Sequence, residues 1–271
     1  MKKTTRILAL VLALVMCLAL CACGEKKTNG TDDAAETSDL AYVQDKGTLV
    51  VGITDFAPMD YKDENGDWIG FDAELATKFA ESIGVEIQFT EIVWDNKIME
   101  IDGKSIDCAW NGMTLTDEVR NSLECSTPYC TNAQVVVVSK DVADQYQTKE
   151  SLEGLKLAVE SGSAGEEAVL ALGNDYTAVE TQADALMEVA AGTSDACIID
   201  LLMAGAMIGE GTSYPDLVYT VSLTEEEYGV GFRKGSDLAA KFNEFFAAAV
   251  ADGSALELAT KYGVQEALIQ D

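Results

Sequence analysis

The chain has 271 residues, with 47 acidic against 18 basic side chains and a formal net charge of −29. A surface this acidic repels nucleic acid and anionic lipid headgroups, so polyanion-binding classes are excluded. Hydrophobic residues make up 48% of the chain, enough for a packed core, and histidine is absent, which removes a principal zinc ligand and leaves no metal or cofactor site to expect.

Lys2, Lys3 and Arg6 precede an uncharged apolar run from Ile7 to Ala22. That run falls short of the roughly 20 residues a transmembrane helix needs. A basic start followed by a short apolar segment reads as a secretory signal over residues 1–22. Leu20-Cys21-Ala22-Cys23-Gly24 resembles the lipobox of bacterial lipoproteins. The resemblance makes Cys23 the lipidated first residue of the mature protein, since bulky Leu20 stands directly before Cys21. Two acyl chains on Cys23 supply an anchoring that a single chain does not. Residues 23–40 read as the anchor and a small, polar tether.

Strands and helices then alternate. Thr48–Ile53 is a buried strand. Phe71, Leu75, Phe79 and Ile83 recur every four residues, with Gly84 just past the end, as on a helix face. Val85, Ile87 and Phe89 alternate as in a strand. Trp94–Ile101 reads as a helix and Ile106–Trp110 as a strand. Gln134–Ser139 and Lys156–Val159 are strands, and a helix runs from about Gly165 to Leu172. Thr177–Val179 is a strand, Gln182–Ala191 a helix, Ala196–Ile199 a strand and Leu201–Ile208 a helix. Tyr228–Phe232 closes the series of strands, followed by helices at Leu238–Val250 and Ala255–Tyr262.

Such alternation predicts an α/β fold with largely parallel sheets. Ligands in these folds sit beyond the carboxyl ends of the strands. Attention therefore falls on Asp55–Pro58, Trp110–Thr116, Glu160–Gly165 and Asp200. Gly162-Ser163-Ala164-Gly165 lacks the lysine and the spacing of a phosphate-binding loop. Cys108 and Cys197 lie in apolar strand-like runs and read as small buried hydrophobes. Export permits a Cys125–Cys130 disulfide, which the sequence does not otherwise support.

A family resemblance rests on several landmarks in order: Gly70-Phe71-Asp72, Trp94-Asp95, Gly112-Met113-Thr114-Leu115-Thr116 and Ser126-Thr127-Pro128-Tyr129. Further on come Leu152–Lys156, Gly162-Ser163, Asp195 with Asp200, and Tyr228-Gly229 running into Arg233-Lys234-Gly235. From about Leu40 onward the chain resembles the family 3 extracellular solute-binding proteins, the polar amino acid receptors of ATP-binding cassette importers. The resemblance implies a two-lobed, type II periplasmic-binding-protein-like fold with two hinge strands. It puts lobe 1 at 41–135 plus 226–271 and lobe 2 at 136–225. It further implies a monomer without catalysis, held to the outer face of the cytoplasmic membrane by its lipid alone. Its partners are then a small solute and a membrane permease, and no nucleic acid.

The resemblance also assigns site residues. Asp200 takes the ligand ammonium, although Asp at that position equally suits a helix N-cap. Ser163 and Ala164 open a helix after a glycine turn, an anion site by geometry, where the family binds the ligand carboxylate. The family arginine falls on Val119, one residue before Arg120. Either the local turn lets Arg120 serve or the bidentate clamp is missing. Phe56 and Trp94 stand where the family places rings, with core packing as the alternative for each. Asn111, Gly112 and Thr114 occupy ligand-contacting positions, and Trp110 either narrows the pocket or packs in the core. The competing functions are a receptor for a solute that is not an α-amino acid and a small-molecule lyase or dehydratase on the same fold. The chain offers no room for a fused catalytic domain. Without histidine, a general acid or base in the lyase is Asp200, Asp55 or a glutamate.

Overall fold

The computed structural model describes residues 38–270. The signal segment and Cys23 lie outside the described residues. Ser38 to Leu40, read from the sequence as the end of the tether, are instead the cap and first turn of helix α1 (Asp39–Lys46). The Ser38 hydroxyl accepts from the Ala41 N–H at 3.0 Å, as N-cap serines do. The Leu40 N–H reaches Asp237 at 2.9 Å, which docks the turn on the body.

The first sheet runs in the order β4 (Glu86–Glu91), β1 (Thr48–Ile53), β5 (Cys108–Ala109), β12 (Gly231–Phe232) and β6 (Glu124–Cys125). β1 is parallel to both β4 and β5, while β12 is antiparallel to β5 and β6. Helix α2 (Phe71–Ser82) lays Phe71, Leu75, Ala76, Phe79 and Ala80 into this lobe's core, the face that the four-residue spacing predicts. A hairpin of β2 (Tyr61–Lys62) and β3 (Trp68–Ile69) precedes α2. A 3₁₀ turn (Trp94–Asn96) leads into helix α3 (Lys97–Asp102), so the helix expected from Trp94 begins three residues later. Helix α4 (Asp117–Ser122) starts where the Thr116 hydroxyl accepts from the Val119 N–H.

The second sheet runs β11 (Leu217–Tyr228), β7 (Cys130–Ser139), β10 (Ala196–Asp200), β8 (Leu157–Glu160) and β9 (Tyr176–Val179). β10, β8 and β9 are mutually parallel, and β7 is antiparallel to β10 and to β11. Helices α5 (Ala164–Leu172), α6 (Gln182–Ala191) and α7 (Leu201–Met207) flank it. Helices α8 (Leu238–Ala251) and α9 (Ser254–Lys261) end the chain against the first lobe. This is the two-lobed α/β architecture with two connecting strands. β7 leaves the first lobe after β6, and β11 returns to it through β12.

The chain passes from the second sheet to the first between β11 and β12, which explains why the expected strand Tyr228–Phe232 is broken. Tyr228 ends β11, and Gly231 starts β12. Between them Gly229 donates to the Met113 carbonyl at 3.0 Å and Val230 to the Ser126 hydroxyl at 2.9 Å. The expected strand Ile106–Trp110 shortens to its two central residues, flanked by single backbone bonds from Asp107 and Trp110 to β1.

Trp110 packs in the core. Its ring meets Phe242 edge-on at 4.9 Å, and Phe79, Tyr129 and Phe246 extend the cluster. Burying each such ring contributes about 1.5–3 kcal/mol. Cys108, Cys130 and Cys197 are buried, Cys125 is half-buried, and all four are free thiols.

Candidate functional site

The carboxyl ends of β1, β5, β8 and β10 converge between the lobes, where strand-end geometry places a ligand. Phe56, Trp94, Asn111, Gly112 and Thr114 from the first lobe meet Ser163 and Asp200 from the second around one cavity of about 20 Å³. Thr54, Glu160 and Gln182 complete its wall. A void of this size holds about one water. Seating a solute therefore requires the lobes to part. They touch across it: the Lys97 ammonium on α3 donates to the Gly162 carbonyl at 2.8 Å.

The first-lobe wall is held from behind. The Asn111 amide oxygen accepts from the Thr54 N–H at 2.9 Å and from the Thr54 hydroxyl at 2.7 Å. Its NH₂ donates to the Thr54 carbonyl at 3.1 Å and to Asp60 at 2.7 Å. The polar atoms of Asn111 are thus spent on shaping the wall. Gly112 sits at φ 54°, and its N–H donates to Asp72 at 2.7 Å. A Cβ there would lie 2.3 Å from the Phe56 ring, so only glycine lets that ring occupy its place. Burial pushes the Asp72 carboxyl up to about 6, against bonds from Tyr129 and Gly112 that favour its charged form. Burial, and then Asp72 beside it, raise Asp60 well above the usual carboxylate range.

The second-lobe wall is acidic. Asp200 ends β10 and accepts from Asn132 at 2.9 Å, from Gln134, and from Gln182 at 2.8 Å. It makes no side-chain cap bond to α7. Asn132 fills that place instead, accepting the Leu202 N–H at 3.2 Å. Burial, then the neighbouring Glu226, hold Asp200 well above its ordinary value. Ser163 caps α5: its hydroxyl accepts from the Glu166 N–H at 3.2 Å and donates to the Glu160 carbonyl at 2.7 Å. Ala164 lines a neighbouring open groove and is not among the residues around the cavity.

Glu160 is 3% exposed, and its Oε1 has no hydrogen-bond partner. Burial drives its carboxyl from 4.5 up to about 8, with Lys97 opposing the rise. Between those values the folded chain keeps a proton that the unfolded chain has released, so stability falls as pH rises through this window. Below 4.5 both states are protonated and above 8 both are ionised, and the contribution is flat. Glu160→Gln is therefore expected to flatten the decline in melting temperature between pH 6 and 8, with a difference on the order of 5 °C. Thermal melts of both proteins at the two pH values measure it; parallel curves would show that Glu160 does not titrate there.

Residues 49–265 match the family model of bacterial extracellular solute-binding proteins, family 3. The chain belongs to this family. Among the relatives of this family 3 protein is the L-cystine-binding protein TcyJ of Escherichia coli K12, 29% identical over 82% of this chain and 85% of TcyJ. An ABC uptake transporter substrate-binding protein of Streptococcus pneumoniae with bound histidine superposes with TM-score 0.77 at 28% identity, over 86% of this chain and 98% of that one. The ancestral amino acid-binding protein AncCDT-1, a precursor of cyclohexadienyl dehydratase, gives 0.76 at 31% identity, over 83% and 99%.

Val119, aligned by resemblance with the family arginine, is buried in an apolar cluster with Met113, Leu115 and Leu123. Arg120 turns outward: its Nε donates to the Leu115 carbonyl at 3.0 Å, and its guanidinium lies 3.4 Å from Glu227. It lines the open groove rather than the cavity between the lobes. Lys97, Trp94, Thr114 and Val119 surround a second void of about 20 Å³, and Trp94 and Thr114 border both voids. Burial lowers the Lys97 pKa, while Glu118 and Glu160 act against that.

Sequence reasoning marked the strand end at Glu160 without giving that residue a ligand role, and left out Thr54, Gln182 and Lys97. Glu160 and Thr54 had a signal, since they lie at or beside the strand ends that the fold class marks. Lys97 and Gln182 had none: each looks like an ordinary polar residue in the first turn of a helix.

Proposed function

We propose that this chain is the receptor of an ATP-binding cassette importer, taking an amino acid between its lobes and presenting the closed form to a permease. The observation that carries the reading is the cavity itself, where an acid from one lobe's strand end faces apolar and hydroxyl groups of the other across a gap bridged by Lys97. The cystine-binding and histidine-bound relatives support an amino acid ligand, and the S. pneumoniae protein supports the transporter. In this reading Asp200 receives the α-ammonium. Lys97 and the first turn of α5, at Ser163 and Ala164, receive the α-carboxylate in place of the family arginine. Phe56 and Trp94 wall the side chain, and Thr114 stands beside it. Arg120 stays outside the site. The two lobes hinge on β7 and β11. The protein works as a monomer, tethered through a lipidated Cys23.

Calorimetric titration of the purified protein with the common amino acids tests this. One amino acid or a related group is expected to bind, and Lys97→Met to weaken it roughly tenfold by removing a charge-assisted bond. No binding by any amino acid would overturn the receptor reading. Unchanged affinity in Lys97→Met would return Lys97 to the lobe contact alone. A second reading, a lyase, draws on Glu160, whose carboxyl carries a proton near neutrality as a general acid must. Mass spectrometry of the ligand recovered after incubation separates the two: intact ligand supports the receptor.

A further inference from the structure

Glu160 stands apart from the other carboxylates of the cavity. Asp200 is held by three amide side chains. Beside Glu160 the one amide donor is Gln182, and Oε1 is buried without any partner. A carboxyl removed from water without a partner is costly to ionise, and the unliganded chain holds Glu160 with its proton. A fold that keeps one on a cavity wall holds a vacancy for a donor. The groups around Glu160 do not fill it. Asp184 and Asp200 are acids, Gln182 gives one of its two N–H groups to Asp200 and leaves the Glu160 Oε1 unpartnered, and Lys97 bonds two carbonyls instead of Glu160. The Lys97 ammonium is turned to the carbonyls of Gly162 and Trp94.

We propose that Glu160 receives a second cationic group of the ligand, so that this protein selects amino acids carrying two positive charges. The inference rests on the amino acid receptor reading and adds the substrate class. Asp200 takes one ammonium and Glu160 the other cation, whether a second ammonium, a guanidinium or an imidazolium. Lys97, which lines the adjoining void, is left for the carboxylate. Apolar or acidic side chains are disfavoured because they would bury Glu160 with its vacancy unfilled.

Calorimetry of wild-type and Glu160→Gln protein against L-ornithine, L-arginine and L-cystine, with L-methionine, L-glutamine and L-glutamate as the contrast, tests the proposal. The wild type is expected to prefer one or more of the first set. Glu160→Gln is expected to weaken these roughly 10- to 100-fold while leaving L-methionine and L-glutamine within threefold. Affinity for the dicationic ligand should also rise with pH from 6 to 8 in the wild type, because binding expels the Glu160 proton, and that rise should shrink in Glu160→Gln to the part that Asp200 contributes. A wild type that prefers a neutral amino acid overturns the proposal and leaves the receptor reading standing. A uniform loss across both sets also overturns it, since Glu160 would then serve lobe closure with Lys97. Failure of every amino acid to bind overturns both readings. Melting curves establish that the variant is folded.

Discussion

Asp200→Ala is expected to lower affinity for an amine-bearing ligand by roughly 100- to 1000-fold, the effect of removing one partner from a buried charge pair. The reason lies in where the carboxylate sits. It ends β10, faces the cavity, and is fixed by Asn132 and Gln134 of β7 and by Gln182 of α6. Asn132 and Gln134 also bond Glu226 of β11, at 2.6 and 2.9 Å. The acid that meets the ligand is thus tied to both connecting strands. In the unliganded site burial and the neighbouring Glu226 raise the proton affinity of Asp200, and the arriving ammonium supplies the opposite charge. Folding should suffer less than binding, because the variant removes a charge that burial disfavours. Titration with the preferred ligand measures the loss, and melting curves check the fold. Affinity unchanged by the substitution would remove Asp200 from the ammonium site.

Most of the architecture was legible before any coordinates. The strands at Thr48–Ile53 and Ala196–Ile199 are largely buried on both faces and read as near-continuous apolar runs. Helix α2 shows its face through four-residue spacing. What escaped was the irregular geometry that joins the lobes. β11 carries Glu225, Glu226 and Glu227 at its returning end, which local propensity does not favour in a strand. It forms because β7 supplies the pairing partner, from Leu217 opposite Ser139 to Tyr228 opposite Cys130. The site was legible where a residue's position on a strand end marks it, as for Asp200 and Glu160. It was not legible where a side chain arrives from the opposite lobe. One residue of helix rotation separates Val119 from Arg120, and that rotation decides which of them points into the core. Lys97 comes from another helix altogether, so spacing along the chain could not find it.

Gly162→Ala is expected to cut ligand affinity on the order of 100-fold by holding the lobes apart. Gly162 sits at φ 71° in the loop between β8 and α5, and a Cβ there would lie 2.6 Å from the Asp95 Cα and 2.8 Å from its Oδ1. Asp95 belongs to the other lobe, so the obstruction exists only when the lobes are together. Backbone cannot yield as a side-chain tip can, and overpacking of this kind costs about 1–3 kcal/mol. The bond from Lys97 to the Gly162 carbonyl is stretched at the same place, removing about 1 kcal/mol more. Alanine at positive φ also carries roughly 1–2 kcal/mol of strain, in the open and closed forms alike. Gly173 isolates that strain: it has φ 77° at the end of α5, with nothing within 4 Å of its would-be Cβ. Gly173→Ala should therefore lose similar stability and keep its affinity. X-ray scattering should show the wild type and Gly173→Ala contracting on saturation with ligand, while Gly162→Ala does not. Equal contraction in all three would mean that the contact between Gly162 and Asp95 does not govern closure.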